Sequence, residues 1–138
     1  MSELISFQRE GQLGFDEFRD LLVRSTLGAR RPLSERDRLQ GMLDNADIII
    51  SARTEDGKLV GIARSITDFS YCTYLSDLAV DAAYQKQGIG KELIRQTRIA
   101  SGLDVRLILL SAPQAVDYYP HIGFEKHDSC WTISPEAK

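Results

Sequence analysis

The sequence predicts a single mixed α/β domain, of the α+β kind, organised around an antiparallel meander. Three observations predict it: apolar residues recur at helical spacing before residue 45 and again after residue 88, β-rich runs fill the stretch between, and Asp56-Gly57 joins two of those runs as a hairpin turn. The 138 residues contain no repeat, low-complexity stretch or linker, so one domain, 1–138, is expected. A chain of this size buries roughly 68% of the surface it exposes unfolded, enough for a core without metal or disulfide staples.

Leu4, Ile5 and Phe7 fit a short opening strand. Phe15, Phe18, Leu21 and Leu22 then recur at helical spacing, and Gly28 suits the residue just past that helix. Ser34 with Asp37 resembles a capping box, after which Leu39, Met42 and Leu43 give a second helix one apolar face up to Asp44-Asn45. Residues 48–54 and 59–66 are β-rich on either side of the Asp56-Gly57 turn. Residues 72–80 form a third run, with Tyr74, Ser76, Leu78 and Val80 on one face and Leu75, Asp77 and Ala79 on the other. A helix carrying Ile89, Leu93, Ile94 and Ala100 starts beside Gly88 and Gly90 and stops at Gly102. Residues 105–110 read as a buried strand, 113–119 as a short helix opened by Pro113, and 124–133 as two final strands. The resulting order is β-α-α-β-β-β-α-β-α-β-β.

Composition narrows the function. Seventeen Lys+Arg against 20 Asp+Glu give a net charge of −3, which argues against a protein that coats nucleic acid. Two distant cysteines, Cys72 and Cys130, are too few for a disulfide framework, residues 1–10 lack the basic start and apolar run of a signal peptide, and no apolar run, Ile48-Ile49-Ile50 and Leu107-Ile108-Leu109-Leu110 included, approaches the length of a membrane span. No membrane partner and a cytoplasmic location are expected. The histidines His121 and His127 and the cysteines show no metal-ligand spacing, so no metal is expected, and Ser111 lacks the context of a hydrolase nucleophile.

The chemistry concentrates at Gln85-Lys86-Gln87-Gly88-Ile89-Gly90-Lys91, between a strand and a helix start. Unpaired N–H groups and the positive end of the helix dipole favour phosphate there. Glycine at 88 and 90 removes the Cβ atoms that would keep a phosphate away, and Lys86 and Lys91 add charge. A P-loop would need glycine at 85 and Ser or Thr at 92, where Gln85 and Glu92 stand. A dinucleotide fingerprint would need glycine at 93, where Leu93 stands.

Gln85, Gly88 and Gly90 match Gln/Arg-x-x-Gly-x-Gly/Ala, the coenzyme A loop of the Gcn5-related N-acetyltransferases (GNAT). Leu75-Ser76-Asp77-Leu78-Ala79-Val80 resembles that family's fourth strand, and residues 115–124, with Tyr118, Tyr119, Gly123 and Phe124, resemble its Ala-x-x-Phe/Tyr-Tyr-x-x-x-Gly-Phe segment. The resemblance covers nearly the whole chain and implies a mixed, mostly antiparallel sheet flanked by helices. It implies acetyl transfer from acetyl-CoA directly to a primary amine of a small molecule or peptide, with no metal, by a monomer or homodimer. A non-catalytic coenzyme A-binding or sensor module, or use of another acyl-CoA such as succinyl or malonyl, is the alternative.

By the same resemblance, the pyrophosphate lies on the backbone of Gln85, Lys86, Gln87, Gly88, Ile89, Gly90 and Lys91. The pantetheine arm pairs with Leu78, Ala79 and Val80, and a bulge splays this strand and aims the Leu78 N–H at the thioester oxygen. Tyr119 corresponds to the tyrosine that donates to the sulfur, with Tyr118 as the alternative. Pro120 is expected to end the helix just after Tyr119. Many members carry asparagine where Ala112 stands, so Ser111 or Gln114 is expected to supply the lost contact. Asp77 is the first candidate base for the amine, ahead of His121 and His127. Residues 24–38 hold five arginines against Glu35 and Asp37, a balance of +3 beside the implied acceptor cleft. That edge suits an acceptor with a carboxylate or phosphate, the other reading being a solvated face. Phe69, Tyr71 and Tyr74 are placed as an opposite aromatic wall or as core.

Overall fold

The computed structural model describes residues 4–136; residues 1–3 of the expected opening and the Gln114 side chain lie outside the described residues. Five strands form one sheet in the order β1-β2-β3-β4-β5: β1 (Ile5–Arg9), β2 (Ile48–Thr54), β3 (Leu59–Thr67), β4 (Cys72–Val80) and β5 (Arg106–Ile108). The first four pair antiparallel and β5 joins β4 in parallel. Gly57, at φ +89°, makes the β2–β3 turn that Asp56-Gly57 predicts. Helices α1 (Phe15–Arg24) and α2 (Arg36–Asp44) precede the meander, α3 (Ile89–Ser101) crosses from β4 to β5, and a single turn, α4 (Tyr118–His121), follows.

The sheet buries both faces, as the nearly continuous apolar runs of β2 and β3 require. On one face Phe18, Leu21, Leu22, Leu39 and Leu43 of α1 and α2 pack against Ile49, Ile62 and Ala79. On the other, Ile89, Leu93 and Ile94 of α3 pack against Ile48, Ile50, Ala63 and Leu75. Gly61 permits the close approach of α3. A Cβ there would lie 3.1 Å from both Ile89 Cγ2 and Leu93 Cδ1.

Several local expectations change. The first helix stops at Arg24, because Thr26 rather than Gly28 takes the left-handed conformation (φ 72°); Gly28 instead lies buried in a 3-10 turn, Leu27–Arg30. Glu35, not Ser34, is the residue at which α2 starts, and no side chain caps it. Pro120 lies within α4 instead of ending it. Its missing N–H is harmless in a first turn, so Tyr118 and Tyr119 open that helix rather than close it. Residues 124–133 form no strand among the described residues, so β5 is an edge of the sheet. No helix among the described residues is long and apolar enough to cross a membrane.

Candidate active site

The site begins with a register slip in β4. Arg64 pairs with Asp77 but Ser65 pairs with Leu75, which leaves Ser76 as the extra residue of a β-bulge. The slip breaks the alternation of the sequence pattern: Leu75 packs with α3, whereas Asp77 and Ala79 turn to the α1–α2 face. Beyond the bulge β4 has no neighbour on its β5 side, because β5 is paired with it only at Cys72, Thr73 and Tyr74, while pairing with β3 continues to Val80. Asp81 N–H donates to Val60 O (2.8 Å), so by antiparallel alternation Ala79 and Asp77 also bond toward β3. The N–H and C=O of Leu78 and Val80 then point into the gap. The Gln85 side-chain amide donates to Val80 O at 3.2 Å from that side.

The gap opens into a cavity of about 1210 Å³. One end is the glycine turn. Asp81 accepts from Ala83 N–H (2.8 Å) at the start of a 3-10 turn, Ala82–Tyr84, and is held to α1 by Arg24, which also donates to Leu59 O at 2.8 Å. Burial pushes the Asp81 carboxyl up, but the Ala83 N–H and Arg24 outweigh it and hold the group below the ordinary carboxylate range. Lys86 and Gly88 both have positive φ (64° and 82°), and Gly88 is the residue from which α3 starts. A Cβ on Gly88 would meet nothing within 4 Å, whereas one on Gly90 would come 3.2 Å from the Tyr118 hydroxyl. This turn has the open, cradle-like backbone that a pyrophosphate requires.

Leu78, Ala79, Val80, Gln85, Lys86, Gly88, Ile89, Gly90, Lys91 and Tyr119 come together along the cavity. Ile89 does so by its backbone, since its side chain is core. Gln87 lines a separate depression near β1, and Ser111 is not among the described lining residues. Tyr118 and Tyr119 meet edge to face at 5.3 Å, and Tyr119 packs likewise on Phe124 at 5.3 Å. Tyr118 faces the glycine turn, which leaves Tyr119 as the ring within reach of Arg30. Burial pushes the Tyr119 phenol up, Tyr118 adds to this, and Arg30 opposes it, so the phenol keeps its proton at neutral pH.

Asp77 does not occupy the position of a general base. Its side chain is 0% exposed, it is absent from the described lining, and both oxygens are taken: Arg31 Nε donates to Oδ1 at 2.6 Å and Arg64 Nε to Oδ2. Arg64 also donates to Met42 O (3.1 Å) and Ser76 Oγ (3.0 Å), and Arg31 to Ser76 O (2.8 Å). Asp77 therefore ties the β4 bulge to β3 and the chain before α2, and its burial keeps it out of reach of an incoming amine. Among the described residues Glu35 is the one carboxylate lining the cavity, paired with Arg38 at 3.2 Å. His121 and His127 are exposed and outside that lining, and of the aromatic trio only Tyr74 reaches it. The basic stretch divides: Arg24 holds Asp81 and Arg36 lies over Phe15 at 4.0 Å, while Arg30, Arg31 and Arg38 line the cavity. Arg64 joins them from β3, a role no local pattern signals.

A family model described as an acetyltransferase (GNAT) domain matches residues 27–131, most of the chain. The chain belongs to the GNAT acetyltransferase family. Its sequence is similar to a histone acetyltransferase of Glycine max, 35% identical over 108 residues covering 70% of this chain and 46% of that protein. The chain thus spans about half the length of that relative. GCN5-related N-acetyltransferase 2, chloroplastic, of Arabidopsis thaliana is 37% identical over 75 residues, covering 53% of this chain and 29% of its own length. Among solved structures, a GNAT-family acetyltransferase of Streptococcus pneumoniae superposes with a TM-score of 0.77 at 22% identity, covering 98% of this chain and 100% of that one. The aminoglycoside N-acetyltransferase AAC(6')-Iy, solved with CoA, gives 0.73 at 16% identity, covering 99% and 98%. These two share the GNAT fold, including its mostly antiparallel sheet.

Proposed function

We propose that this protein transfers the acetyl group of acetyl-CoA directly to a primary amine of a small molecule or peptide. One observation carries the reading: the backbone N–H and C=O groups of Leu78 and Val80 that no strand pairs line a gap that runs into an open glycine turn. An amide-bearing arm ending in a pyrophosphate fits both at once. The backbone of residues 85–91 holds the pyrophosphate, the outward backbone groups of Leu78 and Val80 pair with the arm, and the Leu78 N–H faces the thioester oxygen. Acetyl-CoA supplies an acyl group on a thiol leaving group. As the C–N bond forms and the C–S bond breaks, Tyr119 steadies the charge on sulfur by donating its hydrogen bond, and the thiol takes the proton that balances the one lost by the amine. With Asp77 buried, that amine proton passes to water at the cavity mouth. Surrounding arginines assist, because like charge disfavours the ammonium form.

Calorimetric titration with acetyl-CoA and a thiol-release assay over an amine panel test the proposal. Expected are binding and release with at least one amine, and a Tyr119→Phe variant whose kcat falls while acetyl-CoA affinity holds. Absence of binding at millimolar acetyl-CoA would overturn it. Binding without release for any amine would favour a coenzyme A-binding module.

A further inference from the structure

The acceptor side of the cavity carries an unbalanced charge. Arg31 and Arg64 share the single carboxylate of Asp77, their side chains only 18% and 5% exposed, so this buried trio keeps a net charge of +1. Arg38 and Glu35 cancel one another at the surface. Arg30 is exposed, lines the same cavity and forms no ion pair among the described residues, and its charge is felt at the Tyr119 hydroxyl. Four arginines against two carboxylates leave +2 around the place where the amine must arrive.

Resting on the proposed acetyl transfer, we infer that the acceptor carries an acid group, a carboxylate or phosphate, which Arg30 binds against the positive background of Arg31 and Arg64. A half-buried positive surplus attracts an anion and resists a polycation, since each added ammonium meets like charge in a partly desolvated cavity. A guanidinium with its donors uncommitted suits either oxyanion by paired N–H bonds. Arg30 and Tyr119 line the same cavity, so one small acceptor can present its acid to the first and its amine to the second. The arrangement also gives the arginines two separate tasks: they repel the ammonium proton and hold the acid end.

The test uses acceptors that differ at one end only. Thiol release is measured with propylamine, β-alanine and 1,3-diaminopropane, and with ethanolamine against O-phosphoethanolamine, so that the first set reads a carboxylate and the second a phosphate. In at least one set the acidic acceptor is expected to show kcat/KM about tenfold above its neutral partner, or about 1.4 kcal/mol, with the diamine lowest. Arg30→Gln should collapse that ratio. A neutral or cationic acceptor preferred in both sets, or an unchanged ratio in the variant, overturns the inference. A second measurement needs no turnover: succinate and inorganic phosphate are titrated into the CoA-saturated protein. Weakening by about tenfold in Arg30→Gln supports the inference, and equal or absent binding in both proteins overturns it. If the anion effect persists while no amine is acetylated, the transferase reading fails alone.

Discussion

Replacing Asp77 by asparagine separates a structural charge from a catalytic one. The substitution removes the carboxylate that Arg64 and Arg31 share, at a side chain with 0% exposure, and leaves two guanidinium groups facing each other in the protein. Breaking a buried ion pair from one side costs about 3–5 kcal/mol, because the remaining charge has neither water nor partner. With an unfolding entropy of about 2 cal/mol/K per residue, this 138-residue chain changes its Tm by about 10–17 °C for such a loss. Thermal unfolding followed by circular dichroism reads the shift, and thiol release at a temperature where both proteins are folded reads the catalytic effect. Asp77→Asn is expected to lose most of its stability margin and to keep acetylation within about tenfold, with an unaltered pH profile. A Tm drop below about 3 °C, combined with a rate loss of the hundredfold or more typical of a missing base, would refute the reasoning and return Asp77 to the role that the sequence suggests.

Gly61→Ala should destabilise by about 1–3 kcal/mol through overpacking against Ile89, Leu93 and Ala52, measured by urea midpoint, and should also weaken acetyl-CoA binding by displacing the start of α3. Gly88→Ala should cost about 1–2 kcal/mol for its left-handed backbone and lower coenzyme A affinity. Gly57→Ala, equally left-handed but in the β2–β3 turn, should match the stability cost and leave affinity alone. Stability should fall as pH drops below about 4. Burial raises the Glu10 and Asp81 carboxyls, but hydrogen bonds from Gln8, Ser51 and Arg53 to Glu10, and from Ala83 and Arg24 to Asp81, hold both below their ordinary values. Their contribution is therefore present above the unfolded pKa and lost as pH falls through the folded one. Urea unfolding at pH 7, 4 and 3 checks this, and Arg24→Gln should flatten part of the slope.

Local chemistry made much of this molecule legible in its sequence. Asp56-Gly57 and the alternation around it mark the meander, and Gly88 marks the turn that starts α3, because Gly57 and Gly88 take backbone conformations that few residues adopt. The features that escaped depend on partners distant in the chain. The bulge that the family resemblance implies could not be placed at Ser76 from an alternating pattern, yet it sends Leu75 and Asp77 to opposite faces. Asp77 reads as an available carboxylate until Arg31 and Arg64, 46 and 13 residues away, are brought onto it. Thr26 takes the left-handed position that Gly28 suits better, since Gly28 is needed where Leu22 O and Leu33 leave no room for a Cβ.

The sheet is held together unequally. The meander of β2, β3 and β4 is continuous antiparallel pairing between chain neighbours, whereas β5 is attached by three parallel register pairs formed across the whole of α3. Pairing of that kind closes late in folding and opens first in the native state. Amide hydrogens of the meander should therefore exchange only on global unfolding, and those of Arg106–Ile108 through a cheaper, partial opening. Residues 109–122 follow β5, so such an opening would swing one wall of the cavity outward while the bulged strand, the glycine turn and the arginine cluster stayed in place. On that expectation a firm half recognises and a looser half covers, the two held by the pairing at Cys72, Thr73 and Tyr74 and by Leu107, Leu109, Ile122 and Phe124 packed on the α3-side core.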